Sequence, residues 1–193
     1  MSYKIIVMGS GRGSNAKAIL EAERQGSLGS VEVAAILSDA PNAPILDLAS
    51  DYGKPKHCVP NEKGKAKLHP NESAEFLKII QSYSPKLIVL AGFMRILDKA
   101  FIDALGGQII NLHPSLLPSF PGIHSIKQAY DYPVKITGCT VHWVTPELDA
   151  GPIIDQASVQ IEAEDTLESL SQKVHQTEHL LLPKVIRALS ETA

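Results

Sequence analysis

The first 112 residues alternate, with little interruption, between short apolar runs and segments whose apolar residues recur at helical spacing. That order constrains the chain more than any other feature, because strands alternating with helices build a mostly parallel, doubly wound sheet with helices on both faces. KIIVMG, from Lys4, ends in glycine, and the following SGRGSNAKAILEAERQG sets Ala16, Ile19, Leu20 and Glu23 at helical spacing. Ser14 or Asn15 is the expected N-cap and Gly26 the expected C′ residue. VEVAAILSD (31–39) reads as a second strand, APILDLASDYG (43–53) as a helix and KPKHCV as a short third strand. ESAEFLKIIQSYS (72–84) is an amphipathic helix with Phe76, Leu77, Ile80 and Tyr83 on one face. The run 87–91 is apolar without alternation, which suits a strand covered on both faces. Asp98 caps KAFIDALGG, QIINL is the next strand, and NEKGKAKLHPNES (61–73) reads as one long surface loop.

Beyond Pro133 the pattern changes. VKITGCTVHWV (134–144) sets Cys139, Val141 and Trp143 on one face and Thr140 and His142 on the other, and GPIIDQASVQI (151–161) is a second run of this kind. Together they form a β-ribbon added to the parallel sheet, with TPELDAG as the connection. A final amphipathic helix spans 167–189, with a break or kink expected at Pro183. With 193 residues, 44% of them hydrophobic and 20% charged, the chain suits one well-buried domain.

A formal net charge of −3 offers no broad attraction for nucleic acid or an anionic membrane, so an anionic ligand needs a local site. No segment approaches the roughly 20 apolar residues of a spanning helix, and 1–7 holds too few for a signal peptide. Cys58 and Cys139 lie far apart without CxxC spacing, which suits a reducing cytoplasm.

GSGRGSN (9–15) joins a strand to a helix, where main-chain N–H groups and the helix dipole favour an anion. It lacks the GxxxxGK[ST] of a P-loop, and its GxGxG spacing departs from GxGxxG. Asp39, at the end of the second strand, stands where a dinucleotide-binding protein keeps a ribose-binding acid. His175, Glu178 and His179 match the zinc-peptidase pattern H-x-x-E-H, but only fourteen residues follow to supply a third ligand, so no metal is expected.

NLHPSLLPSFPG (111–122) is different. Asn111 and His113 alternate onto one face at a strand exit. An imidazole can take a proton or steady an oxyanion, and an amide can donate a hydrogen bond without charge. A neighbouring carboxylate would favour the charged imidazole. It is expected from another loop on the same edge, where TPELDAGPI offers Glu147 and Asp149.

Five ordered blocks now act together: GSGRGSN, LAGFMRIL (90–97), NLHPSLLPSFPG, GCTVHWVTPELDAGPII (138–154) and QTEH (176–179). Across nearly the whole chain they resemble the glycinamide ribonucleotide formyltransferases, folate-dependent enzymes of purine synthesis. The resemblance implies a formyltransferase fold in a single domain, 1–193, with a phosphate-binding half of about 1–105 and a folate and catalytic half of about 106–193. It implies transfer of a formyl group from the co-substrate 10-formyltetrahydrofolate to the amine of glycinamide ribonucleotide, by a monomer or homodimer. Asn111, His113 and Asp149 would then be the catalytic group, Gly13, Ser14 and Asn15 the phosphate cradle, and Glu178 a ribonucleotide contact. Met94, Arg95, Ile96 and Leu97, with Asn111, would bind the folate, the loop acting largely through its main chain.

Family members often carry an arginine in the loop before the third helix; here 59–73 holds Lys63, Lys65 and Lys67 instead, and that contact stays unassigned. The chain also stops soon after its last helix, where many relatives have a further tail. A methionyl-tRNA formyltransferase or a formyltetrahydrofolate hydrolase would need an additional domain. An NAD-linked oxidoreductase and a ligand-binding regulator are the readings from other classes.

Overall fold

The computed structural model describes residues 2–61 and 64–192; the expectation for Lys63, and the first residue of 1–7, lie outside them. Among the described residues, strands β1 (Tyr3–Met8), β2 (Val31–Ser38), β3 (Lys56–Cys58), β4 (Leu87–Leu90), β5 (Ile109–His113), β6 (Ile136–Trp143) and β7 (Ile153–Gln160) form one sheet in the order β3-β2-β1-β4-β5-β6-β7. The β1–β2, β1–β4, β2–β3 and β4–β5 pairs are parallel, and β6 and β7 extend the sheet antiparallel as the expected ribbon. The helices are α1 (Ser14–Arg24), α2 (Pro44–Asp51), α3 (Pro70–Tyr83), α4 (Lys99–Ala104), α5 (Ser125–Asp131) and α6 (Leu167–Glu191).

Strand alternation distributes the core between two layers. Ile5, Val7, Val33, Ile36, Leu87, Val89, Ile110 and Leu112 pack with α1, α2 and α6 on one face. Ile6, Met8, Ala35, Leu37, Ile88, Leu90 and Ile109 pack with Phe76 and Ile80 of α3 and Phe101 of α4 on the other. A register shift between Ile5 and Ile6 gives β2 one extra residue, so that Val33 and Ile36, three apart, reach the same layer. Asn111 and His113 follow Ile109 at intervals of two and therefore emerge on the α3/α4 face.

Several boundaries differ from expectation. α1 is capped by Gly13 (φ 78°), not by Ser14 or Asn15, and no side chain caps it. At its other end Gly26 (φ 73°) is the C′ residue: its amide reaches Glu23 and the Ser27 amide reaches Ala22, which closes the helix. α3 starts two residues early, with Pro70 at its first turn and a reciprocal cap between His69 and Glu72. The stretch 61–73 is accordingly not all surface loop: Leu68 is buried, and Lys67 bridges to Ile96. α6 is unbroken through Pro183, held on both sides of it by buried Leu181, Leu182, Val185 and Ile186. α5 has no counterpart in the sequence reading. No helix of the described residues is long and apolar enough to cross a membrane.

Candidate active site and anion cradle

The strand order reverses beside β1, whose neighbours β2 and β4 lead to opposite sides of the sheet; a crevice opens at such a point. The loops leaving β1 and β4 meet there, the Ser10 amide donating to the Gly92 carbonyl at 3.0 Å and the Met94 amide to Ser10 Oγ at 2.8 Å. Gly13 stands against Ile45, where a Cβ would lie 2.8 Å from a side-chain carbon, and its positive φ disfavours any other residue. The uncapped amino end of α1 therefore presents main-chain donors in the manner of an anion site. An open cleft of about 480 Å³ adjoins it, lined by Arg12, Gly13, Ser14, Lys17, His175 and His179 among others, so the cations of Arg12 and Lys17 flank the cradle. Sequence reasoning missed Arg12 and Lys17.

Asn15 and Glu178 tie this cradle to the last helix. Glu178, buried, accepts from Asn15 Nδ2 at 3.0 Å and pairs with His175 Nδ1 at 3.0 Å through the same oxygen, Oε2. The H-x-x-E-H segment thus serves as a buried carboxylate with two partners. Among the described residues, no cluster of three or more His, Cys, Asp or Glu is arranged to hold a metal ion. The hydrogen bond to Glu178 raises the His175 pKa above its ordinary 6.5, against burial and nearby Arg12. A raised folded-state pKa contributes stability that is complete below the unfolded value and is lost as pH rises through the folded one. In thermal melts, His175→Gln should therefore lower the melting temperature more at about pH 5.5 than at about pH 9.

The second cluster stands on β5 and β6. Antiparallel pairing sets Asn111 opposite His142 and His113 opposite Thr140, all on one face. His142 Nδ1 donates to the Trp143 carbonyl at 3.0 Å, leaving Nε2 to accept from Asn111 Nδ2 at 3.2 Å. Burial pushes the His142 pKa below its ordinary value, which suits a neutral acceptor. The alternation of 134–144 already put His142 on the face of Thr140; only the register was needed to bring it to Asn111.

Asp149 arrives by a route the sequence did not suggest. β6 ends beside the amino end of β5, where the Val144 amide donates to Ile109, so the connection 144–152 leaves from the edge opposite His113 and folds back over the sheet. Its close is tight: the Trp143 amide donates to the Pro152 carbonyl, and a Cβ on Gly151 would lie 1.8 Å from the Trp143 oxygen. Asp149 (φ 51°) turns its buried carboxylate inward, Oδ2 3.4 Å from His113 Nδ1 and Oδ1 3.8 Å from His142 Nε2. The Gly122 amide fixes Oδ2 at 2.8 Å. Glu147, the other acid of this loop, is exposed.

Thr140 shapes the 114–122 segment from below. Its hydroxyl donates to the Ser115 carbonyl at 2.7 Å and accepts from the Leu117 amide at 3.1 Å and Gln156 Nε2 at 2.9 Å. All its bonding capacity is used, which anchors the segment on β6.

The loop after β4 carries Met94 and Ile96 exposed, while the Arg95 side chain is buried. It donates to Glu72 at 2.6 Å and the Lys67 carbonyl at 3.1 Å, and approaches Asp39 at 3.5 Å. Asp39 thus lies in a buried ion pair through Oδ2, while its buried Oδ1 has no partner. Lys65 and Lys67 keep exposed side chains, and the base of their loop is held by Arg95 from the neighbouring one.

The formyl transferase family matches residues 3–186 of the chain. The phosphoribosylglycinamide formyltransferase of Bacillus subtilis is 38% identical over 189 residues, covering 96% of this chain and 94% of that protein. Its Escherichia coli namesake is 38% identical over 185 residues, 94% of this chain and 84% of that one. The crystal structure of glycinamide ribonucleotide transformylase 1 from Symbiobacterium toebii superposes with a TM-score of 0.92 at 36% identity, over 99% of this chain and 89% of the other. The doubly wound sheet carries an anion cradle at its switch point and a buried polar cluster on β5 and β6. This chain belongs to the formyl transferase family.

Proposed function

We propose that the protein transfers the formyl group of 10-formyltetrahydrofolate to the amine of glycinamide ribonucleotide, giving N-formylglycinamide ribonucleotide and tetrahydrofolate in de novo purine synthesis. The observation that carries this reading is the meeting of Asn111 and His113 on β5 with Asp149, 36 residues beyond His113, in one buried polar cluster. The family match and the names of its relatives support the same substrates.

An amine of reference pKa about 7.7 to 8.0 is partly neutral near neutral pH, so it attacks without activation by a metal. The new C–N bond sends the carbonyl electrons onto oxygen, and the Asn111 amide donates to that oxyanion. His113, facing Asp149, takes the amine's proton and delivers it to N10 as the C–N10 bond breaks. Gly13, Ser14 and Asn15 hold the substrate phosphate, and Glu178 orients Asn15 and faces the ribonucleotide.

The folate lies against the loop 94–97. The Met94 amide and both main-chain groups of Ile96 already have partners, in Ser10, Ala66 and Leu68, so the main chain of Arg95 and Leu97 is what a pterin would address. Exposed Met94 and Ile96 supply apolar surface for its rings. Both halves belong to one domain, the phosphate-binding part in about 1–105 and the catalytic part in about 106–193.

Purified protein mixed with the ribonucleotide and a 10-formyl folate should deformylate the folate, followed optically, only when the ribonucleotide is present. Deformylation of equal rate without it would replace transfer by hydrolysis.

A further inference from the structure

The two nitrogens of His113 have unlike surroundings. Nε2 lies 3.0 Å from the Phe120 carbonyl oxygen and 3.0 Å from Ser125 Oγ. A carbonyl only accepts, and the Ser125 hydroxyl hydrogen is directed to the Gly122 carbonyl at 2.9 Å, which turns an oxygen lone pair toward the ring. Both neighbours of Nε2 are thus acceptors, and an unprotonated Nε2 would face oxygen lone pairs in a buried site. Nδ1, 3.4 Å from Asp149 Oδ2, makes no hydrogen bond to it, so Nδ1 is the nitrogen whose proton is less firmly held.

We infer that the Nε2 proton of His113 is held in place by the Phe120 carbonyl and the Ser125 hydroxyl, so that Nδ1 is the nitrogen whose proton comes and goes. Ser125 is then a positioning residue. It is the first residue of α5, is buried, and touches the reaction only through His113. Gly122 coordinates both sides of the ring: its carbonyl accepts from Ser125, and its amide fixes the Asp149 oxygen that faces Nδ1. Ring and carboxylate are in this way set by one peptide segment.

The inference rests on the formyl-transfer reading and specifies the atom through which it works. Nδ1 forms an N–H bond as the attacking amine loses one, the electron pair staying on the amine nitrogen. The same proton then passes to N10, whose electron pair from the broken C–N bond accepts it. Nε2 keeps its proton throughout.

The test uses the free protein labelled with ¹⁵N at histidine. Two-bond ¹H–¹⁵N correlations at alkaline pH distinguish the neutral tautomers, and a His113→Gln spectrum identifies the ring. His113 is expected as the Nε2–H tautomer. The Nδ1–H tautomer would overturn the inference, whatever the enzyme's activity, so this readout stands apart from the formyl-transfer assay. Ser125→Ala is expected to keep both KM values within about twofold while kcat falls about tenfold, the scale of one hydrogen bond to a charged group. A kcat equal to wild type in that variant would remove Ser125 from the account.

Discussion

Asp149→Asn is expected to lower kcat by about two to three orders of magnitude while the Kd for the ribonucleotide stays within about threefold. The substitution keeps the side chain's shape, and the amide oxygen still accepts from Gly122, so the 144–152 connection retains its closure. What disappears is a buried negative charge 3.4 Å from His113 Nδ1. Opposite unit charges about 4 Å apart interact by about 4 kcal/mol at an effective dielectric of 20. An interaction of that size, lost from the barrier, corresponds to about three orders of magnitude in rate. The proposed phosphate cradle, 13–15 beside α6, is not touched by Asp149, so binding measured by calorimetry should survive. A variant with wild-type kcat would remove Asp149 from the chemistry.

Ser14→Asp should act in the opposite sense, on binding and on one substrate. It places a carboxylate at the first residue of α1, among the main-chain donors that the left-handed Gly13 cap leaves available. Facing a phosphate dianion, the new charge is expected to raise the KM for the ribonucleotide about a hundredfold. The KM for the folate, proposed to bind at the loop after β4, should change by less than about threefold. A negative charge is favourable at a helix amino end, so the fold should tolerate the change. Equal effects on the two substrates, in steady-state kinetics with each varied in turn, would count against the cradle.

How much of this could be read from the chain depends on which forces act locally. The strands of the first half were legible because burial on both faces demands continuous apolar runs, as in the strand 87–90. Asp98 was legible because capping is a local bond, here from the Phe101 amide. α5 was not, since seven residues with only Ser125 and Ala129 buried carry almost no periodic signal. Its place comes from Ile126 packing against Leu170 and Val174 of α6, a tertiary contact.

The site divides in the same way. Asn111 and His113 announce themselves by alternation, and the resemblance supplied Asp149, but the path of Asp149 over the sheet follows from the β5–β6 register. His142 could be placed only on the face of Thr140, because the register that brings it to Asn111 is invisible in sequence. Arg95 stood in a segment expected to meet folate, and the structure turns its side chain inward to Glu72 and Asp39, leaving the main chain for any ligand. No local pattern reports which way an arginine in a loop points.

The central claim is direct transfer within one site, and a single turnover with a donor carrying ¹³C in its formyl group tests it. Followed by NMR with protein in excess over both substrates, the label should move from N10 to the new amide, with no ¹³C-formate formed. Label appearing as free formate at the rate of donor loss would contradict the account, because the formyl group would then pass to water and the ribonucleotide would not be the acceptor.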